Sequence, residues 1–330
     1  MLEPHLARSP LLLGCEVWTL RSRWQPLPHL GPGVWMKRDD ELSFSVSGSK
    51  FRKLISLSQS LRAGGSKHWL SWGSQRSAFL LALMQEARAQ QAALELFLLR
   101  STPWREQGTD QLFRLWLDGL RIHWMSRAEW PDVARQVARY AEEQPPPEGE
   151  WAIIPEGGDC AEALPGALTL AWEIVVQEER LGIRLDEVCL EAGTGLTAQA
   201  LICGLGYLGR QLAVEVLLCA GDEAGFAEGL NLQRERCERL FGEAPAWLPP
   251  FRCHRPPTAR SYGAVNQQVW SGLTGFACAT GCLLDPLYGA KLHLWYRARP
   301  GRPGQSLWIH GGGGLSVLGY PRIPLPPPAS

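Results

Sequence analysis

Asparagine is nearly absent from this chain: Asn231 and Asn266 are the only two in 330 residues. Charge of one sign is missing too, since 33 Lys and Arg cancel 33 Asp and Glu. That balance excludes a summed field steering the molecule onto nucleic acid or an anionic membrane, so the expected partner is small. No stretch approaches the ~20 apolar residues of a membrane span. The opening MLEPHLARSPLLLGCEVW has a three-leucine run broken by Gly14 and Glu16, too short for a signal sequence. No Cys-x-x-Cys occurs among the nine cysteines (Cys15, Cys160, Cys189, Cys203, Cys219, Cys237, Cys253, Cys278 and Cys282). This odd, scattered set argues against a metal site or disulfide framework and for reduced thiols in the cytoplasm. No internal repeat is visible.

Hydrophobic residues make up 45% of the chain and charged residues 20%, which excludes a disordered or fibrous protein and suits one large or two modest domains. Fifteen tryptophans are dispersed and read as packing residues. Three strand-like runs each lead into an amphipathic helix: LELFLLR into QLFRLWLDGL, EVCLEAGTG into LTAQALICGL, and LAVEVLLCA into AGFAEGLNLQRERCERLF. Such alternation builds parallel sheets covered by helices, so the class is α/β, with ligand-binding loops expected at the carboxyl ends of strands. The run Pro145–Pro147 reads as a surface crossing between units, and PRIPLPPPAS as a tail beyond the ordered core.

Four segments carry chemistry. SGSKFRKLISL (Ser47 to Leu57) puts Lys50 after a small, flexible turn and before a helix, with Arg52 and Lys53 within three positions. A lysine near other cations and partly desolvated has a lowered pKa and can form an imine with a carbonyl cofactor, although a solvated helix start has the same look. EAGTGLTAQA (Glu191 to Ala200) is a strand end, a glycine-rich turn and a helix start, whose successive N–H groups suit a phosphate or serve as a structural turn. ATGCLLDPLYGAK places Tyr288 on a loop after Asp285–Pro286, and LWIHGGGG ends an apolar strand at His310 before four glycines. The glycine-rich turn taken alone also suits a nucleotide-binding α/β protein.

In this order and spacing the segments resemble the pyridoxal-phosphate enzymes of the 1-aminocyclopropane-1-carboxylate deaminase and D-cysteine desulfhydrase type. Where that family reads KRED-L, GGNKxRKLE, GGxQSNH, PEGG, GSGGTxAG, YG, EGxLLDPxYxGK and HTGG or HLGG, this chain has KRDDEL, SGSKFRKLI, WGSQRSAF, PEGG, GTGLTAQA, YG, TGCLLDPLYGAK and HGGGG. The likeness runs from about residue 25 to 320. It implies fold type II of the pyridoxal-phosphate enzymes, similar to the tryptophan synthase β subunit. Two open α/β domains would hold the cofactor between them: a small one over 47–155 and a large one over 1–46 and 156–330. By resemblance Lys50 would bond pyridoxal 5'-phosphate, while Lys53 and the turn Gly193, Thr194, Gly195, Leu196 and Thr197 would hold its phosphate. Ser77, or Ser74 in a shifted register, would match the family serine, and Tyr262 and Tyr288 would face the substrate.

The departures narrow the activity. The asparagine of GGNK is Ser49, and the family Asn-His pair is Ala78–Phe79, with Arg76 an unassigned cation nearby. The deaminase branch carries Glu after the second tyrosine and Leu after the histidine; the desulfhydrase branch carries a small hydroxyl residue at both. Here they are Gly289 and Gly311, and the helix glutamate before the glycine of EGxLLDP is Thr280. The resemblance therefore implies a lyase or deaminase closest to D-cysteine desulfhydrase, releasing ammonia and a keto acid from a small amino acid. The alternatives are a cofactor-binding member with lost or altered catalysis and a cyclopropane-opening deaminase. It further implies a homodimer with no nucleic-acid or membrane partner and no metal.

Overall fold

The computed structural model describes residues 20–43, 48–100, 120–299, 301 and 304–320. Two sheets organise it. Strands β1 (Trp24–Pro26), β2 (Val34–Lys37), β7 (Glu187–Ala192), β8 (Ala213–Leu218), β9 (Phe251–His254) and β10 (Ser306–Ile309) form the larger, in the order β1-β2-β10-β7-β8-β9. Among the described residues of this sheet only the β1/β2 pairing is antiparallel. Strands β3 (His68–Ser74), β4 (Ala93–Leu99), β5 (Arg121–Met125) and β6 (Trp151–Ile154) form an all-parallel sheet in the order β5-β4-β3-β6. Parallel strands are covered on both faces, which is why VLLCA and LFLL read as continuous apolar runs and not as alternating ones.

The helices follow from the same pattern. They are α1 (Lys50–Ala63), α2 (Ala78–Ala89), α3 (Val133–Glu143), α4 (Leu164–Leu181), α5 (Leu196–Tyr207), α6 (Glu223–Phe241), α7 (Gln267–Thr280) and α8 (Gly289–Ala298). Two of the three expected strand–helix pairs are present, β7 with α5 and β8 with α6; β4 fits LELFLLR, while the helix expected after it falls in 101–119, outside the described residues. So does the tail from 321. Pro145–Pro147 does lie largely on the surface, but it joins α3 to β6 within one sheet and is no crossing between the two sheets. One core cluster runs from Leu57 and Leu80 through Leu168 to Val188 and Leu201, tying both sheets together; a second packs Phe276 and Tyr296 against Trp308.

The placement of α1 is specified by charge and by a small residue. Arg52, fully buried, reaches Asp39 through Nε (2.7 Å) and Nη2 (2.8 Å), and also pairs with Glu173 on α4. Lys37 on β2 lies 2.9 Å from the same Glu173. Burial works to raise the Asp39 carboxyl, but the Arg52 guanidinium overrides it and holds it below its ordinary range. Gly166 lets α4 approach, since a Cβ there would fall 1.9 Å from the Arg52 carbonyl oxygen. Arg52 therefore turns away from Lys50 into a sealed ion network and is not one of the cations expected to crowd that amine.

Candidate active site

A cavity of about 440 Å³ lies at the carboxyl ends of strands from both sheets, touching Ser74 of β3, Leu99 of β4, Leu190 to Ala192 of β7 and Ile309 of β10. Lys50 opens α1 at its edge. The Gly311 carbonyl oxygen accepts from the Ser49 backbone N–H (3.2 Å), the Ser49 hydroxyl (3.1 Å) and the Lys50 Nζ (3.0 Å). The glycine loop after β10 thus holds the start of α1 by its backbone, and Ser49 stands in that contact where the family has asparagine. His310 is buried beside the loop and pushed below its usual pKa by desolvation, which suits a neutral structural residue.

Across the cavity, β7 runs into the turn Gly193–Gly195 and α5 begins at Leu196. Gly195 has φ +100°, a left-handed backbone that glycine adopts without penalty, and a Cβ there would meet Gln199 Nε2 at 2.7 Å. The turn and the helix N-terminus offer unspent N–H groups and a positive dipole end to an anion. Lys53 lies nearby, its Nζ donating to Gly157 O at 3.1 Å. Burial, with Lys50 adding repulsion, lowers its pKa to about 8. Gly193, Thr194, Gly195 and Thr197 all line the cavity; the Leu196 side chain is in the core, so only its backbone can take part. A buried amine, a backbone nest and a second amine at one cavity are the donor set that a phosphorylated aldehyde requires, so these residues fit pyridoxal 5'-phosphate.

Of the remaining residues singled out by sequence, Ser74, Ser77, Tyr262 and Tyr288 line the same cavity. The Tyr288 hydroxyl sits 2.9 Å from the point a Cβ on Gly193 would occupy, and burial followed by Tyr262 raises its pKa well above the ordinary value. Tyr262 meets the Ser74 hydroxyl at 3.0 Å. Ser77 lines the cavity as the cap of α2, its Oγ accepting from Leu80 N at 3.2 Å. Phe79, in place of the family histidine, is buried with its ring beside Gly158. Arg76 stacks its guanidinium 4.1 Å from the Tyr320 ring centroid.

Two cavity carboxylates received no role from sequence. Glu156 of PEGG has its pKa raised to about 7 by burial. Glu191, one residue before the end of β7, is also raised to about 7, by burial first and against the pull of Lys50. The signal for Glu191 was present: an acid in the otherwise apolar run VCLEA, two residues ahead of the glycine-rich turn.

No protein-family model matches the chain. A Pyrococcus abyssi protein provisionally named as a 1-aminocyclopropane-1-carboxylate deaminase is 28% identical over 298 residues, covering 88% of this chain and 87% of the relative. D-cysteine desulfhydrase of Serratia proteamaculans is 24% identical over 330 residues, covering 97% and 98%. Among solved structures, an "ACC deaminase homologue" superposes with a TM-score of 0.80 at 22% identity, covering 96% of each chain. Across nearly its whole length the chain is similar to proteins of this kind, at low identity. Its fold is fold type II of the pyridoxal-phosphate enzymes. The departures from the family pattern at Gly289 and Gly311 fall beside or inside the cavity.

Proposed function

We propose that this protein is a pyridoxal-phosphate-dependent lyase of the D-cysteine desulfhydrase kind, eliminating a β substituent from a small amino acid and releasing ammonia and a keto acid. The observation that carries the reading is the meeting of Lys50, Lys53 and the Gly193–Thr197 turn at one cavity. When bound, the cofactor supplies an electron sink for a carbanion at the substrate α-carbon. Everything else falls to the chain's own residues. The turn's backbone N–H groups and Lys53 bind the phosphate. Lys50 Nζ takes the proton from the α-carbon as the β group departs with its bonding pair. Tyr288, buried and held protonated, keeps a proton available to that leaving group. Water then replaces the amine.

The family resemblance supports residues 47–155 as the smaller unit, and the whole four-stranded sheet falls inside that range. It supports 1–46 and 156–330 as the larger unit, and a cytoplasmic homodimer. Among the described residues no helix is long and apolar enough to cross a membrane.

A second reading rests on Ala78 and Phe79, which line the cavity with apolar surface where the family has side-chain donors: a protein that binds the cofactor but has lost turnover. One experiment separates the two. The protein is mixed with pyridoxal 5'-phosphate, its visible absorbance and its borohydride-fixed adduct are recorded, and keto-acid release is assayed over D- and L-amino acids. Colour with turnover of D-cysteine or a relative is expected. Colour with no turnover of any amino acid would select the second reading, and the absence of colour would sink both.

A further inference from the structure

A pyridine nitrogen facing a cavity wall needs a polar partner, because a buried acceptor left unpaired carries the full cost of its desolvation. A carboxylate there also holds the nitrogen protonated and so strengthens the ring as an electron sink. The family side chain after the second tyrosine is absent: Gly289 has only its N–H, spent at 2.9 Å on Asp285 Oδ2. Asp285 is itself occupied, its Oδ1 accepting from Leu287 N and Tyr288 N. Of the two carboxylates that line the cavity among the described residues, Glu156 adjoins Gly157, which touches Lys53 and Thr194 at the phosphate end. Glu191 lies at the other end, against the glycine loop.

Three observations converge on Glu191. Its Oε2 is sealed from solvent and has no hydrogen-bond partner among the described residues. Lys50 does not satisfy it, donating instead to Gly311 O. Its Oε1 lies 2.8 Å from where a Cβ on Gly311 would sit, a point also 3.1 Å from Ser49 Oγ and 3.6 Å from Lys50 Nζ. Gly311, unlike Gly312 and Gly313, has no positive φ, so the backbone does not demand glycine there. Space does: Glu191 fills the volume that the family leucine or threonine at this position would take.

We propose that Glu191 is the carboxylate that pairs with the ring nitrogen of the bound cofactor, offered from strand β7 in a chain that has no side chain at 289 or 311. This rests on the cofactor reading above and deepens it. The glycines at 289 and 311 are then the counterpart of an acid moved to 191, and not a sign of a dismantled site.

The test is the ¹⁵N resonance of the cofactor ring in holoenzyme reconstituted with ring-¹⁵N pyridoxal 5'-phosphate. The native protein should show a protonated ring nitrogen, and Glu191→Gln, still coloured and folded, an unprotonated one shifted downfield. An unprotonated nitrogen in the native protein, or an unmoved resonance in Glu191→Gln, overturns the assignment. Failure of the native protein to bind the cofactor is a different result, and fells the broader reading. Should Glu191→Gln not bind, the pair at 311 decides. Gly311→Thr alone should weaken cofactor binding about tenfold or more by overpacking, and Gly311→Thr with Glu191→Ala should recover it, the threonine hydroxyl then taking the place of the lost carboxylate at the ring nitrogen. A double variant no better than the single one refutes the exchange of volume and with it the proposal.

Discussion

The Nζ of Lys50 lies 3.0 Å from the carbonyl oxygen of Gly311, 261 residues further along the chain. The Ser49 N–H and hydroxyl donate to the same oxygen, so the amine is aimed by a backbone contact that survives its loss. Lys50→Ala should therefore cost no more than about 1 kcal/mol of stability, the worth of one partly exposed hydrogen bond, while abolishing the visible absorbance and the borohydride adduct. The chain has only five lysines (Lys37, Lys50, Lys53, Lys67 and Lys291), so peptide mapping of the native adduct is unambiguous. A coloured, reducible adduct in the variant would refute the assignment.

What sequence revealed here was what repeats along the chain or is covalently local. The α/β class, β7 with its turn and α5, and Lys50 at the start of α1 are signals confined to about ten residues, and the structure carries them. Sequence gave Arg52 to the neighbourhood of Lys50 because they are two positions apart, but residues i and i+2 do not share a helix face; Arg52 points to Asp39 and Glu173. Glu191 went unassigned because its meaning depends on Gly311, 120 positions away, and on the space a missing side chain leaves. Exchange of volume between distant strands leaves no periodic trace.

The phosphate turn should act through its backbone. Thr197→Ala should weaken binding of pyridoxal 5'-phosphate about fivefold, the scale of one side-chain hydrogen bond. Gly195→Val forces a β-branched residue to φ +100° and a Cβ to 2.7 Å from Gln199 Nε2, so the loss there should exceed about 100-fold. Equal losses measured by fluorescence titration would contradict the backbone account.

Lys53 should give the proposed anion site a pH dependence. Its pKa is lowered to about 8 in the free protein, by burial and then by Lys50, and a bound phosphate favours the charged amine. The binding contribution is thus full below about pH 8 and lost as pH rises through that value, approaching about tenfold per pH unit. Pyridoxine 5'-phosphate, which has no aldehyde and cannot bond to Lys50, is the suitable probe. Its affinity should fall from pH 8 to 9.5 in the native protein and stay flat in Lys53→Met; a flat native profile would remove Lys53 from the site.

Arg52 should be among the most costly single losses. Among the described residues, Arg52→Met leaves Asp39 buried with only Lys37 at 4.0 Å and the Ser22 hydroxyl, and breaking a buried pair on one side costs about 3–5 kcal/mol. Arg62→Met, on an exposed stretch of the same helix, should cost under about 1 kcal/mol. Because Arg52 holds the Asp39 carboxyl below its ordinary range, the native advantage exists above that range and disappears as pH falls through the lowered value. Urea melts at neutral and acidic pH read both effects, and equal midpoints for the two variants would refute the network's role in seating α1.

Ring opening of 1-aminocyclopropane-1-carboxylate should be slow or absent, and elimination from D-cysteine or a larger relative faster. The family's ring-opening branch has a carboxylate after its second tyrosine, on the helix that here begins at Gly289. In this chain the cavity carboxylates are instead Glu156 and Glu191, on a loop and on β7. Gly289 offers no acceptor, and a Cβ there would already touch Asp285 Oδ2 and Leu284 at 3.3 Å. Gly289→Glu would therefore add a longer side chain against a buried acid and should not restore ring opening. A β leaving group, by contrast, needs only a base at the α-carbon and a proton donor, the roles proposed for Lys50 and Tyr288, which line one cavity. Keto-acid release from the two compounds, assayed side by side on the native enzyme, decides the matter: faster release from the cyclopropane amino acid would show that ring opening does not need an acid at 289.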